Sequence, residues 1–131
     1  MASVFSKILS GEIPCHKVAE TNDYLAFLDI QPLAPGHTLV IPKKEVDYIF
    51  DMDDESLMGL HLFSKYVAQA IKKVVPCTKI GVSVIGLEVP HAHIHLIPID
   101  RVTDMDFGKS RRSWSEEELS EMAKRIAEAL T

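Results

Sequence analysis

The chain has 131 residues, enough for one domain that buries about two-thirds of the surface its unfolded form exposes. Apolar residues make up 47% and charged residues 25%, the balance of an ordinary soluble globular protein, and no apolar run approaches the ~18 residues of a membrane span. Fourteen basic against nineteen acidic residues give a net charge of −5, which argues against a broad nucleic-acid surface but leaves room for a small phosphorylated ligand held locally.

The amino-terminal stretch MASVFSKILS lacks the basic start and apolar run of a secretory leader. Cys15 and Cys77 are far apart and outside any C-x-x-C motif, so they read as free thiols and a cytoplasmic location is expected. Residues 3–9 predict a short helix, ended by the breakers of GEIP at 11–14. Strands follow at 16–20 and 24–28, with a turn at Thr21-Asn22-Asp23. Asp29 and Ile30 come next; alone, an Asp before Pro32 reads as a turn residue. The loop 31–36 holds two prolines and a glycine. A third strand is predicted at 37–41, with His37, Leu39 and Ile41 on one face.

The longest element is a helix over 53–75. Asp53 or Asp54 can cap its start, and Pro76 ends it. Leu57, Leu60, Phe63, Val67, Ile71 and Val74 recur at three and four residues and form one broad apolar face. Met58, Leu62 and Ala70 widen the apolar surface beyond that stripe, which predicts a second face covered by a partner subunit. Strands are expected at 79–85 and 92–99. After them Lys109, Arg111 and Arg112 form the densest basic cluster, read on its own as a solvated surface run. A final amphipathic helix spans 115–130, with Ser115 and Glu118 as a capping box and Leu119, Met122, Ile126 and Leu130 as its stripe.

The chemistry concentrates at 91–98, HAHIHLIP. Three of the six histidines fall within five residues there, alternating with apolar side chains. Alternation is the mark of a half-buried strand: Ala92, Ile94 and Leu96 face a core, and His91, His93 and His95 stand in a row on the other side. Neighbours in the row are ~6.7 Å apart at the usual rise of ~3.3 Å per residue. Two chemistries use such a row. Two histidines at i and i+2 can share a zinc ion with a third ligand from elsewhere. Alternatively a neutral imidazole can attack phosphorus, with neighbouring imidazoles donating to the phosphate oxygens or the leaving group.

The row resembles the histidine-triad (HIT) motif, His-φ-His-φ-His-φ-φ with φ apolar. FSKILSGEIPCHKVAE, YLAFLDIQPLAPGHTLVIPKK and VPHAHIHLIP are similar, in order, to successive blocks of the Hint-like branch of that family, from about Val4 to about Phe107. The resemblance implies a single HIT domain over 1–131. Its fold is α+β: a five-stranded, mainly antiparallel sheet with a long packed helix and a carboxy-terminal helix. It implies a homodimer whose carboxy-terminal residues can reach the partner's site, and a small nucleotide as ligand, without nucleic acid, membrane or cofactor. The implied activity is hydrolysis or transfer at the α-phosphorus of a nucleoside phosphoramidate or dinucleotide. His93 would be the nucleophile and form a nucleotidyl-histidine, His95 would donate to phosphate oxygen, and His91 would support His93. Asp29 would bind ribose hydroxyls, Ile30 would pack on the base, and His37 would lie beside the row as a phosphate neighbour or, where cysteines exist, a zinc ligand.

Many bacterial members begin with C-x-x-C and bind zinc. Ser3 and Ser6 stand at the matching positions, which implies a lost metal site. The loop before the triad also departs from the usual pattern. Leu87 stands where a Gln is common and Glu88, followed by Val89, where a Ser or Thr is common; both usual residues touch the phosphate. Glu88 is expected to turn outward, toward Arg111 or Arg112 across a dimer, rather than to act as a general acid. Two rival readings remain at this stage: a zinc-dependent hydrolase using His91, His93 and His37, and a non-catalytic nucleotide-binding or scaffold protein that keeps the motif.

Overall fold

A tight turn joins the first two strands of the sheet. Strands β1 (Lys17–Glu20) and β2 (Tyr24–Leu28) pair antiparallel across it, and the Thr21 hydroxyl accepts the N–H groups of Asp23 and Tyr24 at 3.3 and 3.1 Å. The structure is a computed structural model and describes residues 3–131. Met1 and Ala2, part of the stretch read for a leader, lie outside the described residues. Three further strands complete the sheet: β3 (Thr38–Pro42), β4 (Lys79–Ser83) and β5 (Ile94–Ile99). The order is β1-β2-β3-β5-β4 and every pairing is antiparallel.

Helix α1 (Val4–Leu9) precedes the sheet, α2 (Asp54–Val74) joins β3 to β4, and α3 (Glu116–Glu128) follows β5. The expected caps are present. The Asp53 carboxylate accepts the Ser56 N–H at 2.8 Å, and Ser115 and Glu118 form a reciprocal capping box. On one sheet face Ala26, Val40, Ile94 and Leu96 pack against Leu60, Val67 and Ile71 of α2 and Leu119 and Ile126 of α3. The loop into β3 approaches the carboxy-terminal end of α2 closely. Gly36 has φ +88°, and a Cβ there would meet Val75 Cγ2 at 3.0 Å, so only glycine serves both needs. On the other face Leu25, Phe27, Leu39 and Ile41 form a second cluster under Phe5 of α1.

Several boundaries differ from the sequence reading, each for a hydrogen-bonding reason. The strand expected from Ala92 starts at Ile94, because the N–H of His91 goes to Val89 O at 2.8 Å and that of Ala92 to Val46 O at 2.6 Å. These are loop carbonyls, off the ladder. β4 consequently ends at Ser83, paired with His95, rather than running on to Ile85. β3 starts at Thr38 because the His37 N–H turns back to Ala34 O at 3.1 Å. Two 3-10 turns, Ile49–Asp51 and Val102–Met105, have no counterpart in the reading. Ala70, expected on a second face of the long helix, lies in the sheet-facing core. Met58, Leu62 and Tyr66 are the exposed apolar residues of α2. No helix among the described residues is long and apolar enough to cross a membrane.

Candidate active site

The histidine row is buried on both sides rather than half-buried: His91 is 0%, His93 6% and His95 8% exposed. The backbone decides which ring nitrogen of each histidine carries the proton. Nδ1 of His93 lies 2.7 Å from the carbonyl oxygen of His91. A carbonyl only accepts, so the neutral ring holds its proton on Nδ1 and keeps a lone pair on Nε2. Phe5 meets this ring edge-on, with centroids 5.0 Å apart. Burial holds the His93 pKa below the usual 6.5, with the His91 carbonyl pulling the other way.

His95 is set the opposite way, through a relay. The N–H of Leu33 donates to Nδ1 of His37 at 3.0 Å, so the proton of His37 sits on Nε2. That nitrogen lies 3.0 Å from Nδ1 of His95 and donates to it. His95 therefore keeps its proton on Nε2. Neighbouring positions of one face thus present a lone pair at His93 and an N–H at His95. Burial, with smaller contributions from the adjacent imidazole and Arg111, pushes the pKa of His37 down to about 3 and that of His95 to about 4. Both are neutral near pH 7. His37 is fully buried behind His95 and does not line the cleft, so its contact with a ligand is indirect.

At the other end His91 is anchored by α1. Its Nε2–H donates to Pro42 O at 2.8 Å, and its Nδ1 lies 3.3 Å from the Ser3 hydroxyl. The carboxylate of Glu45 accepts the Ser3 N–H at 3.0 Å and the Ser6 hydroxyl at 2.7 Å. These bonds hold the Glu45 pKa down to about 2. Ser3 and Ser6 thus converge on Glu45 and His91, not on His37. Two neutral hydroxyls, one carboxylate and one imidazole make a poor zinc set, and the hydroxyls already serve each other, the helix start and His91. These residues do not fit zinc.

The rival set of His91, His93 and His37 does not converge either, since His37 pairs with His95 instead. Asp29, His37 and His95 do offer atoms within 4.8 Å of one another. However, the Leu33 N–H keeps the proton of His37 on Nε2, the nitrogen nearest Asp29.

His93 and His95 line a cleft of about 490 Å³. Its apolar wall includes Phe5, Ile8, Phe27, Leu39 and Val89; its polar groups include Asp29, Glu88 and Arg111. Asp29 accepts the Gln31 N–H at 2.8 Å, so it is a turn residue as well as a cleft residue, and burial raises its pKa. Ile30 lies exposed at the same cleft; so do Leu87, at 88%, and Glu88.

Sequence reasoning missed Glu45, Phe107 and Arg111 as parts of this site. The Phe107 ring packs on His95, with centroids 4.9 Å apart. Arg111, expected either in a solvated surface run or across a dimer toward Glu88, instead lines its own chain's cleft, tied to Gln31 O and Phe107 O at 2.8 and 3.2 Å. Arg112 turns away, 3.5 Å above the Trp114 ring and 3.1 Å from Glu118.

A family model described as the HIT domain matches residues 10–102. The chain belongs to the HIT family. The adenosine 5'-monophosphoramidase of Schizosaccharomyces pombe is 39% identical over 99 residues, 75% of this chain and 74% of that protein. Its Saccharomyces cerevisiae namesake is 41% identical over 98 residues, 74% of this chain and 62% of that one. Among solved structures, a HIT-like protein from Bartonella henselae, described as involved in cell-cycle regulation and holding an unknown ligand, superposes with a TM-score of 0.85 at 36% identity. The match covers 98% of this chain and 96% of that one. A zinc-bound HIT family protein from Mycobacterium smegmatis superposes with a TM-score of 0.81 at 27% identity, over 98% and 93% of the two chains. The architecture described above is the HIT fold.

Proposed function

We propose that this HIT protein is a nucleotide hydrolase or transferase acting at the α-phosphorus of a nucleoside phosphoramidate or dinucleotide. The observation that carries the reading is the opposed pair of tautomers: a lone pair on His93 Nε2 beside an N–H on His95 Nε2, both at one cleft. Attack by Nε2 of His93 forms an N–P bond as the bond from phosphorus to the amine or second phosphate breaks. The leaving group departs with the electron pair; an amine takes up a proton from solvent, and a second phosphate leaves as the anion. The positive charge that develops on the His93 ring is stabilised by its Nδ1–H to the His91 carbonyl. His95 donates to a phosphoryl oxygen, and its neutral state matters because it brings a donor without needing protonation at pH 7. Water then cleaves the N–P bond and releases the nucleoside monophosphate.

The apolar wall suits a base and Asp29 a ribose hydroxyl. The fungal relatives named as phosphoramidases support the substrate class. The same reading takes the chain as a single HIT domain in the cytoplasm and as a homodimer. Met58, Leu62 and Tyr66, each one helical turn from the next and all exposed on α2, form a stripe that a second copy would cover. Sedimentation at micromolar concentration tests the dimer; a monomer alone would remove it. The activity is tested by mixing the protein with adenosine 5'-phosphoramidate, quenching in mild alkali and mapping the adduct. AMP together with an adenylylated His93 peptide is the expected result. AMP with no adduct on His93 overturns the covalent route, and no AMP overturns the substrate class.

A further inference from the structure

Arg111 is the only lysine or arginine among the described residues lining the cleft. Its guanidinium is held by two backbone carbonyls, Gln31 O at 2.8 Å and Phe107 O at 3.2 Å. Carbonyls fix a guanidinium in place without neutralising it. Among the described residues no carboxylate oxygen lies within 4.0 Å of it, whereas its neighbour Arg112 has Glu118. Two of its five N–H donors are bound in this way, which leaves three for another acceptor. Phe107 contacts both partners, packing edge-on against His95 at 4.9 Å and lying under the guanidinium at 5.9 Å. One short segment therefore carries a fixed cation to the donor histidine. The same cleft has Leu87, whose side chain has no donor, and Glu88, whose carboxylate opposes an anion.

We infer that Arg111 is a substrate-binding residue that takes the phosphoryl oxygens of the nucleotide. It supplies from the carboxy-terminal segment, within one chain, the contact that the loop at Leu87 and Glu88 does not make. The inference rests on the nucleotide reading above and adds to it a specific demand: the cleft tells a nucleotide from its nucleoside through Arg111. Burial is the largest influence on His95, His37 and Asp29, lowering the first two and raising the third; the charge of Arg111 adds a smaller downward pull on each.

The test is titration calorimetry of the full chain with AMP and with adenosine, for the wild type, Arg111→Ala, Arg111→Gln and Arg111→Lys. A lost charge-assisted contact corresponds to roughly 10- to 150-fold in affinity, expected for AMP with Ala and Gln, while adenosine binding changes by less than about 2-fold. Arg111→Lys keeps the charge and is expected to recover part of the AMP affinity. Retained adenosine binding also shows that the variants are folded. Unchanged AMP affinity in Arg111→Ala, or an equal loss for AMP and adenosine, overturns the role of Arg111 and leaves the nucleotide reading standing. A wild type that binds adenosine but not AMP, or neither, overturns both.

Discussion

The two faces of residues 91–96, the alternating stretch that leads into β5, behave as different materials. Ala92, Ile94 and Leu96 enter an aliphatic core under α2 and α3, where each side chain is replaceable by another of similar volume. His93 and His95 enter a polar relay in which each ring has a specific partner: His91 O for one, His37 Nε2 for the other. Both faces are buried, so burial does not distinguish them. On one face free energy comes from volume and area. On the other it is tied up in hydrogen bonds that choose a tautomer, and the chemistry depends on that choice.

Substituting adjacent residues separates the faces most sharply. His93→Ala is expected to lower turnover of adenosine 5'-phosphoramidate by about 10³-fold or more, because the attacking nitrogen is gone, with AMP binding largely kept. Ile94→Ala, one residue on, is expected to destabilise the fold by about 2–5 kcal/mol and to leave the turnover of folded molecules nearly unchanged. Urea melts and initial rates on the same two preparations decide it. A His93→Ala protein as active as wild type, or an Ile94→Ala protein as stable, would dissolve the distinction.

The aliphatic face was legible in the sequence and much of the polar face was not. Three- and four-residue spacing located α2 and α3, the caps fixed their starts, and alternation placed Ile94 and Leu96 inward; all of these are local signals. The triad was legible too, because its residue types are rare at that spacing. What surrounds it arrives from far along the chain. His37 and His95 are 58 residues apart, Ser3 and Glu45 42 apart, and Arg111 and Gln31 80 apart. No periodicity reports such pairs. Arg111 looked like its exposed neighbour Arg112, and Glu45 is one more charge in a polar loop. The late start of β5 escaped for the same reason, since it depends on loop carbonyls that accept the N–H groups of His91 and Ala92.

Acid should damage the polar face first, and the sign follows from the histidines. An unfolded histidine titrates near 6.5, while in the folded chain His95 is near 4, His37 near 3, and His93 is also lowered. Between those values the unfolded state binds more protons, so these groups take stability away as pH falls from about 6.5. Above about pH 7 they contribute no pH dependence to stability. Asp29, with a raised pKa, works in the opposite direction lower down, and Arg111 and Glu88 also act on this cluster. Urea midpoints at pH 7.5, 6.0 and 5.0 stay mostly above the range where carboxylates of ordinary pKa begin to titrate. A steady fall is expected, shallower in His37→Phe. Turnover per folded molecule is expected to stay level from pH 7.5 down to 6.5, because burial holds His95 near 4 and His37 near 3 and keeps His93 below its usual value. A drop in rate centred on 6.5 would mean that His93 titrates as a free imidazole.

The smallest expected effect on turnover tests where the two faces end. Ser3 is not on the sheet, yet its hydroxyl does two things at once. It accepts the Ser6 N–H at 3.1 Å to cap α1, and it lies 3.3 Å from Nδ1 of His91. Helix α1 is six residues long and holds Phe5 against His91 and His93, at 5.9 and 5.0 Å between centroids. A helix that short depends on its cap, and losing such a cap costs about 0.5–2 kcal/mol. Ser3→Ala also leaves a fully buried imidazole nitrogen without a donor, a further cost of about 1–3 kcal/mol if water cannot reach it. The expected result is a lower melting temperature and a fall in turnover of less than about 10-fold, because His91 supports His93 through its backbone carbonyl rather than its ring. Ser3→Thr keeps the hydroxyl and is expected to restore both quantities. Ser6→Ala removes the exposed bond to Glu45 and the long 3.4 Å contact with the Ser3 hydroxyl, leaves the cap and His91 untouched, and is expected to change stability least. If Ser3→Ala melts like the wild type and turns over at the same rate, the triad is held by the sheet alone and α1 contributes only Phe5.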